Sequence, residues 1–107
     1  MTSTGRMVVI YRTPRDPAAF DKHYVEIHLP LAHQLPGLRR YEISKAPVSS
    51  IAGDPAPYLV AILHFDNLEA IRQAFATPEG RACAADRRLL APNDEDVQMY
   101  LFESAEV

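Results

Sequence analysis

Apolar and polar positions alternate along this chain with two different periods. Met7-Val8-Val9-Ile10-Tyr11 is a short β-branched run, stopped by Pro14, and predicts a first strand. Asp16-Pro17 then opens a helix, with Asp as N-cap and Pro at the first helical position, where its missing N–H costs nothing. Phe20, Tyr24, Ile27, His28 and Leu31 fall on one face of that helix. Pro30 disfavours the α region at Leu29, so the regular helix should end near His28, with a last turn running to the stop at Leu35-Pro36-Gly37. Leu38–Ser44 predicts a second strand, and its Arg39, Arg40 and Glu42 suit a sheet edge. Lys45–Pro57, with three prolines, reads as a long loop of the kind that forms lids or site rims. Tyr58–Phe65 is apolar at nearly every position and predicts a third strand. Leu68, Ile71 and Phe75 stripe a second helix behind a capping arrangement at Asp66–Glu69. Thr77-Pro78-Glu79 starts a third helix running to about Leu90, and Val97–Glu103 is the last strand.

The order β-α-β, β-α-α-β predicts an α+β protein: a ferredoxin-like βαββααβ two-layer sandwich on a four-stranded antiparallel sheet. Its first and third strands should be central, and they are the most apolar. Helices cover one face of such a sheet, so the other face should alternate to polar residues if it meets water. It does not. Leu59, Ala61, Leu63 and Phe65 point one way, yet Val60, Ile62 and His64 point the other, and the last strand offers Tyr100 and Phe102 on its second side. A homodimer packed sheet against sheet buries that face, and twofold symmetry lets one patch serve both copies. The alternative is a monomer whose long loop folds back over the sheet.

With 107 residues, a single domain over 1–107 is expected, burying roughly two-thirds of its unfolded surface. The formal net charge of -3 and the scattered basic residues argue against nucleic-acid binding. Cys83 is the lone cysteine, which excludes an internal disulfide and fits a reducing cytoplasm. Met1–Gly5 is polar and the apolar run after it too short for a signal or membrane segment, so the expectation is a cytoplasmic protein without membrane contact. No Gly-rich phosphate loop invites a nucleotide cofactor, and no cofactor is expected. No metal is expected either: His23 and His28 are five apart, which regular helix geometry separates, and no Cys or carboxylate pattern completes a set.

Tyr24 and His28, four apart, share the helix face that must look at the sheet. A phenol and an imidazole in an apolar cavity can serve as hydrogen-bond donor and general acid/base. The plain alternative is that His28 satisfies the helix end and Tyr24 is a core aromatic. Phe20, Tyr11, Leu31 and Tyr41 are candidate pocket walls, and His33 a candidate at the pocket mouth. His64 belongs either in the cavity or in the sheet-to-sheet interface. His23 lies off the Tyr24–His28 face and should be exposed. Arg87 and Arg88 read as solvated, and Cys83 as a small packed residue.

Phe20-x3-Tyr24-x3-His28-x-Pro30-Leu31, followed by Leu35-Pro36-Gly37 and Tyr41, resembles the signature of EthD-domain proteins. Thr77-Pro78-Glu79-Gly80 before an alanine-rich helix also fits that family and its relatives in the dimeric α+β barrel superfamily. The family is named for the degradation of ethyl tert-butyl ether, where its member accompanies an oxidative system. Relatives include cofactor-independent monooxygenases, muconolactone isomerases and polyketide cyclases or dehydratases, which hold an apolar ligand between sheet and helices. The resemblance thus implies a small apolar or aromatic ligand and a catabolic or biosynthetic setting. Three functions stay open: acid/base catalysis at His28 and Tyr24, cofactor-free oxygenation of phenolic substrates, and a non-catalytic accessory or carrier role.

Overall fold

A computed structural model describes residues 3–107; the first two residues of the polar Met1–Gly5 stretch lie outside them. The elements are β1 (Gly5–Tyr11), α1 (Pro17–His23), a π-helical turn (Tyr24–His28), α2 (Leu29–Ala32), β2 (Arg40–Ile43), β3 (Leu59–Phe65), α3 (Leu68–Phe75), α4 (Pro78–Leu90) and β4 (Val97–Glu103), the last preceded by a 3-10 turn at Asp94–Asp96. The strands form one antiparallel sheet in the order β2-β3-β1-β4, with the two most apolar strands central. This is the ferredoxin-like α+β arrangement. No helix among the described residues is long and apolar enough to cross a membrane.

Local chemistry explains the helix starts. The Asp16 carboxylate accepts from the Ala19 N–H at 3.1 Å, Asn67 Oδ1 from Ala70 at 2.8 Å, and Thr77 Oγ1 from Gly80 at 3.1 Å. Each satisfies an otherwise orphaned first-turn donor. Gly80 is also required sterically, because a Cβ there would run into the backbone of Ala74 and Phe75 where α3 meets α4.

The first helical segment departs from the expected ending at His28. It passes through a π turn, in which the Leu29 N–H bonds the Tyr24 carbonyl five residues back, and then resumes as α2. A proline ring normally collides with the carbonyl four residues before it. The wider π turn directly ahead of Pro30 relaxes that geometry, so the chain continues helically to Ala32. It also rotates the following side chains. Ile27, expected on the packed face, is 48% exposed, and His28 is buried.

The helices pack on one face of the sheet. Met7, Val9 and Tyr11 of β1 and Ala61, Leu63 and Phe65 of β3 are buried there with Phe20, Tyr24, Ile71, Ala74 and Cys83. The opposite face carries the half-buried Val8, Ile10, Val60 and Ile62 and the exposed Tyr100 and Phe102 of β4. Lys45–Pro57 is irregular and mostly exposed, and none of its residues lines either cavity described below, in contrast to the lid or rim expected of it.

Candidate functional site

Three elements bring the chemistry-bearing side chains together between sheet and helices. The π turn sets the first relationship. Its i→i+5 bond takes in one residue more than a regular turn, so His23 and His28 project to the same side, although in a regular helix they would diverge. Both meet Asp86, which α4 presents on its packed stripe of Gly80, Cys83 and Asp86. His28 Nδ1 lies 2.9 Å from Asp86 Oδ2, and His23 Nε2 lies 2.8 Å from Asp86 Oδ1. Asp86 and His28 are buried; the His23 side chain is 27% exposed.

A carboxylate only accepts, so His28 Nδ1 carries the proton, and in the neutral ring Nε2 keeps its lone pair. Nε2 bonds no group among the described residues, and no fully buried side-chain nitrogen or oxygen there lacks a partner. An unpartnered Nε2 is therefore one that touches open space. That space is a cavity of ≈160 Å³ walled by Met7, Val9, Leu63, Phe75 and Met99, with Tyr11, Tyr41, His28 and Cys83 among its lining and Arg87 and Arg88 at its edge. Burial lowers the His28 pKa, and His23 and Arg87 act in the same direction; the hydrogen bond and charge of Asp86 oppose them without reversing the shift. The ring is thus a neutral base near pH 7.

Tyrosines supply the donors. The Tyr24 and Tyr41 hydroxyls lie 2.7 Å apart. Two O–H groups share one mutual bond, so the pair retains one hydrogen to give a ligand at Tyr41. Burial raises the pKa of Tyr11, Tyr24 and Tyr41, the last to about 12, and keeps all three protonated. Tyr24 stacks on Phe20 at 5.8 Å, meets Tyr11 edge-on at 6.0 Å, and sits 5.3 Å from the His28 ring. Such contacts are worth about 0.5–1.5 kcal/mol each and hold the base in place. Burial pushes the Cys83 thiol up to about 11, so it lines the cavity as a thiol, not as a thiolate nucleophile.

The candidates named from sequence divide accordingly. His28, Tyr11 and Tyr41 line the cavity, and Tyr24 stands behind Tyr41. Phe20 supports Tyr11 and Tyr24 and lines a separate open cleft. Leu31 is half-buried and lines neither space. His33 is exposed with its ring 5.7 Å from Tyr41, beside the site rather than in it. His64 is on the open sheet face, away from the cavity, with Nε2 2.6 Å from Glu42 Oε1. Two expectations need correction. His23 is no free surface residue but an Asp86 ligand, because of the π turn. Arg87 is no fully solvated residue: it is half-buried, lines the cavity and donates to the Ala91 carbonyl at 3.0 Å. Asp86 itself escaped notice. Its one signal was a carboxylate three residues after Cys83 and six after Gly80, on the packed stripe of an amphipathic helix.

Comparison with known proteins agrees with this architecture. The sequence profile of the EthD domain matches residues 12–91. An uncharacterized 11.0 kDa protein of the thcB-thcC intergenic region of Rhodococcus erythropolis is 43% identical over 82 residues, covering 76% of this chain and 78% of that protein. The crystal structure of an ethyl tert-butyl ether degradation (EthD) family protein from Bacillus halodurans superposes with a TM-score of 0.84 at 30% identity, over 95% of this chain and 99% of the other. SnoaB, a cofactor-independent oxygenase from Streptomyces nogalater, shares the fold at 19% identity and a TM-score of 0.67, over 99% and 97% of the two chains. A dimeric ferredoxin-like protein from Thermobifida fusca does so at 18% identity and 0.68, over 97% and 93%.

Proposed function

The chain belongs to the EthD domain family, and from that footing we propose that it binds a small apolar or aromatic compound of catabolic or biosynthetic metabolism and moves a proton on it by the acid/base chemistry of its own side chains. The observation that carries this reading is the His28–Asp86 pair: an oriented imidazole with an unpartnered Nε2 on an apolar cavity. His28 Nε2 takes a proton from an acidic C–H or O–H of the ligand. The electron pair left behind spreads onto the ligand's carbonyl or phenolic oxygen. Tyr41, backed by Tyr24, donates a hydrogen bond to that oxygen, and the positive charge of Arg87 favours the anion. Returning the proton from His28 to another atom completes an isomerisation; returning it to an oxygen that leaves as water completes a dehydration.

The cavity bounds the ligand. A dry cavity of about 150 Å³ holds a benzene ring, so this one accommodates a single ring or a branched chain of similar size. Arg88 and Met99 are exposed, and a polar tail can leave between them.

The functional unit in this reading is a homodimer. Val8, Ile10, Val60, Ile62, Tyr100 and Phe102 form one apolar surface on the sheet face the helices leave uncovered, and a second copy packed sheet to sheet would bury it.

The test is hydrogen exchange into a probe that fits the cavity. Phenylacetone incubated with the protein in D2O should gain deuterium at its benzylic carbon faster than buffer alone allows, and His28→Ala should remove the acceleration. Exchange unchanged in the variant would exclude His28 as the base. Saturable binding of the probe with no exchange in either protein would instead mark a carrier. The same abstraction from a phenol would open a cofactor-free oxygenation, whose signature is O2 consumption.

A further inference from the structure

The third member of the cluster, His23, has no part in the chemistry just described, yet it occupies half of the Asp86 carboxylate. Its Nε2 holds Oδ1 at 2.8 Å while His28 Nδ1 holds Oδ2 at 2.9 Å. The two rings differ in what they face. His28 is buried and lines the smaller, apolar cavity. His23 lines a second, open cleft of ≈610 Å³ at the carboxyl end of β1, which it shares with Arg12, Arg15 and Asp16 before α1 and with Glu95 and Asp96 before β4. One carboxylate thus bridges a partly exposed ring on the cleft and a buried ring on the cavity.

We infer that His23 is a positioning residue that sets the basicity of His28, because the two rings compete for the single negative charge of Asp86. This rests on the reading of His28 as the base of the cavity. When His23 is an imidazolium, its charge is matched by Asp86 and little of that charge is left to stabilise a second imidazolium at His28; the base stays neutral. When His23 is neutral, the full charge of Asp86 supports proton uptake by His28. The remaining groups that face His28 hold nearly constant charge over this range. Arg87 of α4 stays cationic, and Tyr11, Tyr24, Tyr41 and Cys83 stay protonated. His23, the more exposed of the two rings, is the group through which the cleft reaches Asp86.

Imidazole NMR of the whole protein across pH 4.5–8.5 tests this without reference to turnover. In the wild-type protein the His28 ring signals should respond twice, at their own transition and at that of His23. His23→Gln, which removes the competing charge, should raise the His28 midpoint by roughly one pH unit. His23→Lys, which fixes that charge, should keep the midpoint at its wild-type value. An equal midpoint in H23Q and wild type overturns the inference, as does an equal shift in H23Q and H23K, the mark of mere structural loosening. Should H23Q fail to fold, a single His28 transition in the wild type, with no inflection at that of His23, overturns it as well. The outcomes separate from those of the proposed function: coupling without probe exchange refutes the base and leaves the coupling, and exchange without coupling does the reverse.

Discussion

Replacing Asp86 by Ala should destabilise the protein by about 3 kcal/mol, and the number follows from what each histidine loses. His28 is buried, so its Nδ1–H would be left without an acceptor, at a cost of about 1–3 kcal/mol. His23 is partly exposed and can turn to water, forfeiting only the net value of a bond to a charged group, about 1.5 kcal/mol. Relief of the buried carboxylate's own desolvation offsets part of this and leaves a net cost of about 3 kcal/mol. With a urea slope near 1.5 kcal/mol/M, the unfolding midpoint at pH 7.5 should fall by about 2 M. Asp86→Asn keeps an oxygen for one of the two rings and should cost about half as much. Unfolding of D86A within about 0.5 kcal/mol of wild type would refute this role of Asp86. So would a D86A protein more stable than wild type, because the carboxylate would then be a net burden rather than the anchor of the cluster.

Other consequences can be checked on the same material. Tyr11, Tyr24 and Tyr41 have folded pKa values raised above the unfolded value of 10, so the stability they give is complete below pH 10 and lost as pH climbs through the folded values; urea midpoints from pH 9 to 11.5 should fall steeply, and Tyr24→Phe should flatten the slope. For His28 the folded pKa is depressed below 6.5, so stability should be full above pH 6.5 and decline as pH drops below it, a decline that His28→Gln should reduce. Gly80→Ala should cost about 2–3 kcal/mol in chemical unfolding, because the new methyl group meets the α3 backbone and overpacks the α3–α4 contact. Tyr100→Asp combined with Phe102→Asp places charge in the middle of the open sheet face and should leave a folded monomer in light scattering, where the wild-type protein should run as a dimer; a monomeric wild type at micromolar concentration would refute the sheet-to-sheet pairing.

Much of this architecture was legible because strands and caps announce themselves locally. Asp16, Asn67 and Thr77 cap helices where side-chain chemistry says they should, and the two-sided apolar character of Tyr58–Phe65 places that strand at the sheet centre. His28 was legible as a buried polar residue on an apolar face. The rest depended on a backbone detail with no hydrophobic signature. A π turn changes the residues per turn for five positions only, too few to alter the apolar periodicity, yet it moves Ile27 out to solvent and brings His23 alongside His28. Asp86 was hidden for a different reason. Its meaning lies in partners 58 and 63 residues away, and a lone acidic residue in a helix with several arginines reads as ordinary surface charge.

The central claim is that His28 offers an unprotonated Nε2 to the cavity while Nδ1–H is held by Asp86. Long-range 1H–15N NMR of the imidazole at pH 7.5 reads this directly. The expected result is a neutral ring with the hydrogen on Nδ1, a form that Asp86→Asn disturbs. A ring protonated on Nε2 alone, or an imidazolium at that pH, would contradict it, because neither leaves a lone pair facing the ligand.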